Sequence, residues 1–349
     1  MLSPSEQTQC RFCVMDRSAS EITFDESGRC NFCVQAQKSL QEIAQGKCHL
    51  NTVINTIKNS RKGKYDVVIG LSGGVDSSMA LHHAVSLGLR PLAFTVDTGW
   101  NTPEADENIL RLVETLEVPL YRENINLDKF RELQSAFMKA GVPNIEIPTD
   151  HVLMAVSLYF ANLYKVQWII SGGNVATESI MPPSWGYNAR DLRHIKDIYR
   201  TYTGKRLTGL PVCGLLKWNY YRWVKRIKTL YLLDYFDYNR EDSIKTLTSL
   251  YGYKPYGEKH CESAFTWWFQ NFYLFEKFGI DKRKAHLSSL INSGQMSRDA
   301  ALAELAKEPV YPVLGLEAKV MQYPKHRHDD FKKDERIYNA IASVVRKFV

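Results

Sequence analysis

Long apolar runs are missing from this chain of 349 residues. None approaches the roughly 18 residues that cross a bilayer as a helix, so no membrane role is expected. The opening Met1-Leu2-Ser3-Pro4-Ser5 lacks the basic start and apolar core of a secretory leader, and the expected compartment is the cytoplasm. Internal repeats and low-complexity tracts are lacking too. No Gly-Lys-Ser/Thr closes a glycine-rich turn and no Gly-x-Gly-x-x-Gly occurs, so neither a Walker-type nor a dinucleotide loop is present. A Gly-x-Cys-x-Gly elbow is also missing, and Leu2 rather than cysteine follows Met1. Cys48, Cys213 and Cys261 therefore offer no recognisable nucleophile for glutamine hydrolysis.

What is present is the composition of a globular protein, 44% hydrophobic and 24% charged, with length for two or three domains. The net charge of +7 suits anionic ligands such as nucleotides, nucleotide sugars or RNA without choosing among them. Residues 1–50 hold five of the seven cysteines and little apolar periodicity. Residues 51–235 alternate strand-like and helix-like patterns, and residues 236–349 read as a helical substrate or partner region. The expected fold is α/β, a parallel sheet with helices on both faces, preceded by a metal ribbon.

Residues 65–71 (YDVVIGL) form a short apolar run that ends at 72–78 (SGGVDSS). A helix should follow, with Ala80, Leu81, Ala84 and Val85 on one face and Gly88 as its stop. Further strands are expected at 91–96 and 167–170, and 153–164 reads as a buried helix because it is apolar nearly all round. Glycines between a strand and a helix N-terminus let backbone N–H groups meet an anion, and serine hydroxyls add donors. Asp76 is anionic, so a bridging Mg²⁺ reconciles it with a phosphate. The bland alternative is a strand–helix turn in which Ser and Asp only cap.

Cys10-x-x-Cys13 and Cys30-x-x-Cys33 stand sixteen residues apart, the pattern of two turns presenting four thiolates to one metal. Structural zinc is the expectation, with an iron–sulfur centre as competitor. The aromatic and cationic segment 217–231 places Tyr220, Trp223, Val224, Ile227 and Tyr231 at helical spacing, which predicts a core-packed helix. Phe265, Trp268, Phe269, Phe272 and Phe275 form a second stripe, and Ile337, Ala340, Ile341, Val344, Val345 and Phe348 a third. Arg190, Asp191, His194 and Lys196 are candidates for a substrate phosphate or carboxylate. Lys259, His260, Cys261 and Glu262 put reactive groups just before an aromatic helix.

The 72–78 loop resembles the SGGxDS signature of the PP-loop ATP pyrophosphatases, among them asparagine, argininosuccinate and GMP synthetases. That resemblance implies ATP cleaved between its α- and β-phosphates, held by Leu71, Ser72, Gly73, Gly74, Asp76, Ser77 and Ser78, with Mg²⁺ as companion. Asp97 closes the next strand. Gly173, Asn174 and Glu178 look like the superfamily's glycine–asparagine loop, and Lys217 like the lysine that reaches the phosphates. Segments 191–204 (DLRHIKDIYRTYTG), 251–263 (YGYKPYGEKHCES) and 278–302 (FGIDKRKAHLSSLINSGQMSRDAAL) resemble the N-acetyl sugar amidotransferases of bacterial O-antigen and flagellin-glycan synthesis. The family implies that the acetamido group of a nucleotide-linked sugar is adenylylated and attacked by ammonia. It also implies a glutaminase partner related to imidazole glycerol phosphate synthase, with a cyclase-like companion. Asp76, Lys217, Lys259, His260 and Glu262 are the candidate catalytic residues. The alternative is a tRNA-thiolating enzyme using Cys213 and Cys261, against which no isolated basic RNA-binding domain is visible.

Overall fold

The computed structural model describes residues 7–257 and 261–334. Its centre is a five-stranded, wholly parallel sheet in the order β3-β2-β1-β4-β5: β1 (Val67–Gly70), β2 (Pro91–Asp97), β3 (Leu120–Asn124), β4 (Trp168–Ser171) and β5 (Lys228–Tyr231). Side-chain alternation sends neighbouring residues of one strand into different cores. Val68, Leu92, Phe94 and Ile169 enter one, while Val67, Ile69, Ala93 and Ile170 enter the other. Both faces are therefore covered, as a parallel sheet requires.

In chain order the helices are α1 (Asn31–Gly46), α2 (Leu50–Asn59), α3 (Val75–Ser86), α4 (Pro103–Thr115), α5 (Leu127–Ala140), α6 (Ile147–Leu163) and α7 (Val175–Glu178). They continue with α8 (Leu192–Thr203), α9 (Leu215–Asn219), α10 (Arg240–Tyr251), α11 (Ala264–Trp268), α12 (Arg283–Asn292), α13 (Arg298–Leu305) and α14 (Glu317–Gln322). Helices α2, α3 and α4 pack on one face through Ile57, Ala80, Leu81, Ala84 and Leu112. On the other face α5 and α6 contribute Phe130, Phe137, Val156 and Phe160, with the Phe94 and Phe160 rings 5.4 Å apart. Fully burying one such ring contributes about 2–3 kcal/mol. Although α6 buries most of its length, Leu153, Tyr159 and Leu163 stay exposed.

The cysteine turns pack against the C-terminal part of the chain. From Asn31 the chain is already helical, and the turns dock on the C-terminal helices. Ser288 Oγ accepts the Val14 N–H, and the Arg298 guanidinium donates to the carbonyls of Cys10 and Cys13. Of the second stripe Phe265, Trp268, Phe269 and Phe272 are buried and Phe275 is half-buried, where the helix widens to π geometry over Phe269–Lys277. The third stripe, from Ile337 to Phe348, lies outside the described residues.

Segment 217–231 departs from expectation. Helix α9 is short, a π turn follows over Tyr220–Val224, and Arg226 at φ 57° turns the chain into β5. A stripe spaced at 3.6 residues spreads over the surface when the turn widens. Tyr220, Trp223, Val224 and Tyr231 are exposed, and only Ile227 of the five is buried. Among the described residues no helix is long and apolar enough to cross a membrane.

Candidate functional site

Strand β1 pairs with β2 on one side and β4 on the other, so the winding of the sheet reverses at its carboxyl end. Crevices at such reversals are where open α/β sheets take ligands. The glycine loop fills this position. Leu71 still belongs to the sheet, since its N–H donates to the Phe94 carbonyl at 2.8 Å. Gly73 then adopts φ 80°, and a Cβ there would stand 2.4 Å from the Ala105 carbonyl oxygen. Only glycine meets both demands.

Gly74 caps α3, and its N–H donates to Ser72 Oγ at 3.2 Å. The Ser77 hydroxyl donates back to the Gly74 carbonyl at 3.2 Å, which ties the turn together. Ser78 is buried and belongs to the packing beneath the loop rather than to its mouth. A narrow cleft opens above Ser72, Gly74, Val75, Asp76 and Ser77, at the positive end of the helix dipole.

Three side chains from far along the chain complete that cleft: Arg240, Tyr256 and Glu262. The sequence reading singled out neither of the first two, although Tyr256 lies within the 251–263 segment that carries the resemblance. Asn239 caps the helix that Arg240 opens, and the Arg240 guanidinium donates to the Gly257 carbonyl. The Tyr253 hydroxyl donates to the Gly73 carbonyl at 3.1 Å, fastening this segment to the loop. Tyr238 donates its hydroxyl to Asp76, and burial with the Asp76 charge pushes that phenol up, keeping it a donor. Glu262 is pinned by pairing with the strand-end loop after β2: the Thr102 N–H donates to its carbonyl at 3.0 Å, and the Ala264 N–H to Trp100. Its Oε1 would lie 2.9 Å from a Cβ on Gly74.

Two more acids stand close by on α6. Glu146 is buried, and desolvation, reinforced by Asp150 and Glu262, raises its carboxyl to about 8. Asp150 reaches the surface, and desolvation of its carboxyl raises it to about 6 against the opposing charge of Lys282.

The remaining candidates divide. Asp97 ends β2, exposed, with Oδ1 accepting the Gly99 N–H. Asn174 caps α7 through Oδ1, while its Nδ2 is buried without a partner. A Cβ on Gly173 would stand 3.3 Å from a Glu178 oxygen. Lys217 is exposed on α9 with its ammonium 5.7 Å from the Tyr221 ring, and among the described residues Arg240 is the cation that lines the cleft. Lys259 and His260 lie outside the described residues.

The 190–196 group does not form one site. Asp191 is fully buried as the cap of α8, accepting N–H groups from Arg193 and His194 and the Tyr187 hydroxyl. His194 is buried against His328, and desolvation lowers both imidazoles, His194 to about 4. His328 Nε2 accepts the Asn144 N–H, so its Nδ1 carries the proton toward His194 Nε2. These two residues build the fold and are not open to a substrate. Arg190 lies over the Trp218 ring at 4.3 Å, and Lys196 is exposed.

The four cysteines of the N-terminal turns are buried and bring their sulfurs within 4.8 Å of one another. Sγ–Sγ distances are 4.0 Å for Cys10–Cys33 and 3.8 Å for Cys13–Cys30. Tetrahedral coordination at about 2.3 Å from each sulfur spaces the sulfurs by roughly 3.8 Å, so the set fits such an ion. Backbone N–H groups of Phe12, Cys13 and Cys30 donate to Cys10 Sγ, and Asn292 Nδ2 donates to Cys33 Sγ at 3.3 Å. Such donors stabilise thiolates and orient them.

Among solved structures, the chain is similar to the NH3-dependent NAD synthetase from Campylobacter jejuni subsp. jejuni NCTC 11168 in complex with the nitrate ion. The likeness has 20% identity and a TM-score of 0.29, over 39% of this chain and 58% of that one. It is also similar to NMN synthetase from Francisella tularensis, with 16% identity and a TM-score of 0.33, over 70% of this chain and 95% of that one. No curated protein matches. Residues 262–318, which begin at the cleft glutamate, match the family described as LPS biosynthesis protein WbpG-like, C-terminal domain, in agreement with the O-antigen resemblance read from the sequence.

Proposed function

We propose that this chain is an ATP-dependent, AMP-forming amidotransferase of surface-polysaccharide synthesis that converts an acetamido group of a nucleotide-linked sugar into an acetamidino group. The observation that supports it most is the glycine–serine loop at the sheet's reversal point, closed by a segment that runs into the LPS-type match. A UDP-linked diacetamido uronic acid is the proposed substrate.

The loop N–H groups, the Ser72 and Ser77 hydroxyls and the α3 dipole hold the β- and γ-phosphates, with Arg240 balancing their charge. Asp97, Gly173, Asn174 and Glu178 line the adjoining strand ends and take the rest of the nucleotide. The acetamido oxygen attacks the α-phosphorus, pyrophosphate leaves into the loop, and ammonia then displaces AMP from the imidate carbon. Asp76 is the carboxylate in the cleft that would hold Mg²⁺, whose chemistry is to neutralise polyphosphate charge. Zinc on the four buried cysteines serves the fold, since an all-thiolate set leaves no open position. Ammonia comes from a docked glutaminase with its cyclase-like companion, in the cytoplasm.

The thiolation alternative needs a reactive thiol. Burial raises the Cys213 thiol to about 11, which leaves it protonated and a poor nucleophile. The test measures pyrophosphate release from ATP with nucleotide-linked diacetamido sugars and with bulk tRNA. Release with sugar alone is expected; release with tRNA alone would replace this reading by thiolation.

A further inference from the structure

The three carboxylates beside the phosphate loop include one acceptor that the fold leaves unused. Glu146 stands at the entrance of α6, nine-tenths buried. Its Oε2 accepts the Thr266 hydroxyl at 2.8 Å, whereas its Oε1 is buried with no hydrogen-bond partner. Asp150 from the same helix and Glu262 from the loop side both add negative potential there. Thr149 also reaches the Glu146 carboxyl, and Lys282 is the cation that faces Asp150.

A buried acceptor without a donor is costly, so Glu146 Oε1 is suited to a ligand that brings its own protons. Near-complete burial restricts that ligand to a small one, and the three acids exclude an anion. Ammonium meets all three conditions.

We propose that Glu146, flanked by Asp150 and Glu262, receives ammonium and takes one proton from it, delivering ammonia to the adenylylated acetamido carbon. This rests on the amidotransferase reading above. One N–H bond of ammonium breaks, the proton passes to Glu146 Oε1, and the electron pair stays on nitrogen. That pair forms the new C–N bond while the C–O bond to the adenylate breaks, its electrons leaving on AMP. The product keeps the three ammonia hydrogens as an amidinium. The proton on Glu146 returns to water by way of Asp150, which is open to solvent. A carboxyl held up by burial is suited to exchange protons with so weak an acid near neutral pH.

The test compares two nucleophiles on Glu146→Gln. Sugar-dependent ATP–pyrophosphate exchange is expected to persist, because adenylation precedes the step. Amidine formation with ammonium near neutral pH is expected to fall about 10²-fold. It should recover in strong alkali, and with hydroxylamine, which is uncharged at neutral pH. Equal losses with ammonium and hydroxylamine, or undiminished ammonium use, would overturn the proposal. Should Glu146→Gln fail to fold, Glu146→Asp decides: a displaced pH profile of the ammonium KM supports the role, and one that superimposes on the wild type overturns it. A wild-type protein that exchanges no pyrophosphate with any acetamido sugar overturns the functional reading itself, a failure visible before ammonia is added.

Discussion

The cysteine cluster draws all four sulfurs from residues 10–33, whereas the phosphate cleft joins a loop at 72–77 to Arg240, Tyr256 and Glu262 from the far half of the chain. The first is buried, with N–H groups donating to Cys10, Cys13 and Cys33. The second opens to solvent, and beside it desolvation raises the carboxyls of Glu146 and Asp150. A site complete within a few turns holds structure together. A site assembled from distant segments brings together groups that no single stretch of sequence supplies.

The comparison is most directly broken at the metal. Cys30→Ser should abolish tight metal binding and cost on the order of 5 kcal/mol, lowering the thermal midpoint while nucleotide contacts remain in the surviving fold. Metal analysis alongside thermal unfolding checks this; full stability without metal would contradict it. At the cleft the consequence is reversed. Asp76→Ala should unfold with the wild type but release pyrophosphate about 10³-fold more slowly. Normal release from a folded variant would remove Asp76 from the chemistry.

Gly73→Ala tests whether the loop's shape rather than its side chains carries the binding. The left-handed φ and the Ala105 carbonyl at 2.4 Å should together cost about 2–3 kcal/mol and weaken ATP binding. Isothermal titration and chemical unfolding read the two effects. The smallest effect is expected from Asn292→Leu, which removes the donor to Cys33 Sγ. Metal affinity should fall roughly 10–100-fold in a chelator competition, with pyrophosphate release unchanged.

The same contrast explains what the sequence disclosed. The glycine–serine loop, the cysteine turns, β1, β2 and β4 were legible because each is written in consecutive residues: an apolar run, a glycine break, a paired spacing. Strand β3 was not, since its residues Leu-Tyr-Arg-Glu-Asn are an edge strand with exposed charges and no apolar alternation. Arg240, Tyr256 and Glu146 were invisible because their meaning comes from neighbours more than a hundred residues away. Tyr220 and Trp223 were misread because period alone cannot report a π turn, nor the short helix that leaves them exposed. Asp191 and His194 read as candidate contacts for a substrate phosphate or carboxylate. Their burial follows from a capping role and a histidine pair that closes only through His328.

The central claim, that an acetamido oxygen attacks ATP, is tested most directly by the fate of that oxygen. With ¹⁸O in the acetamido carbonyl, ammonium as nucleophile and the wild-type protein, the account predicts that the label leaves on AMP in step with acetamidine formation. Label retained in the sugar, or appearing in orthophosphate beside ADP, would contradict it.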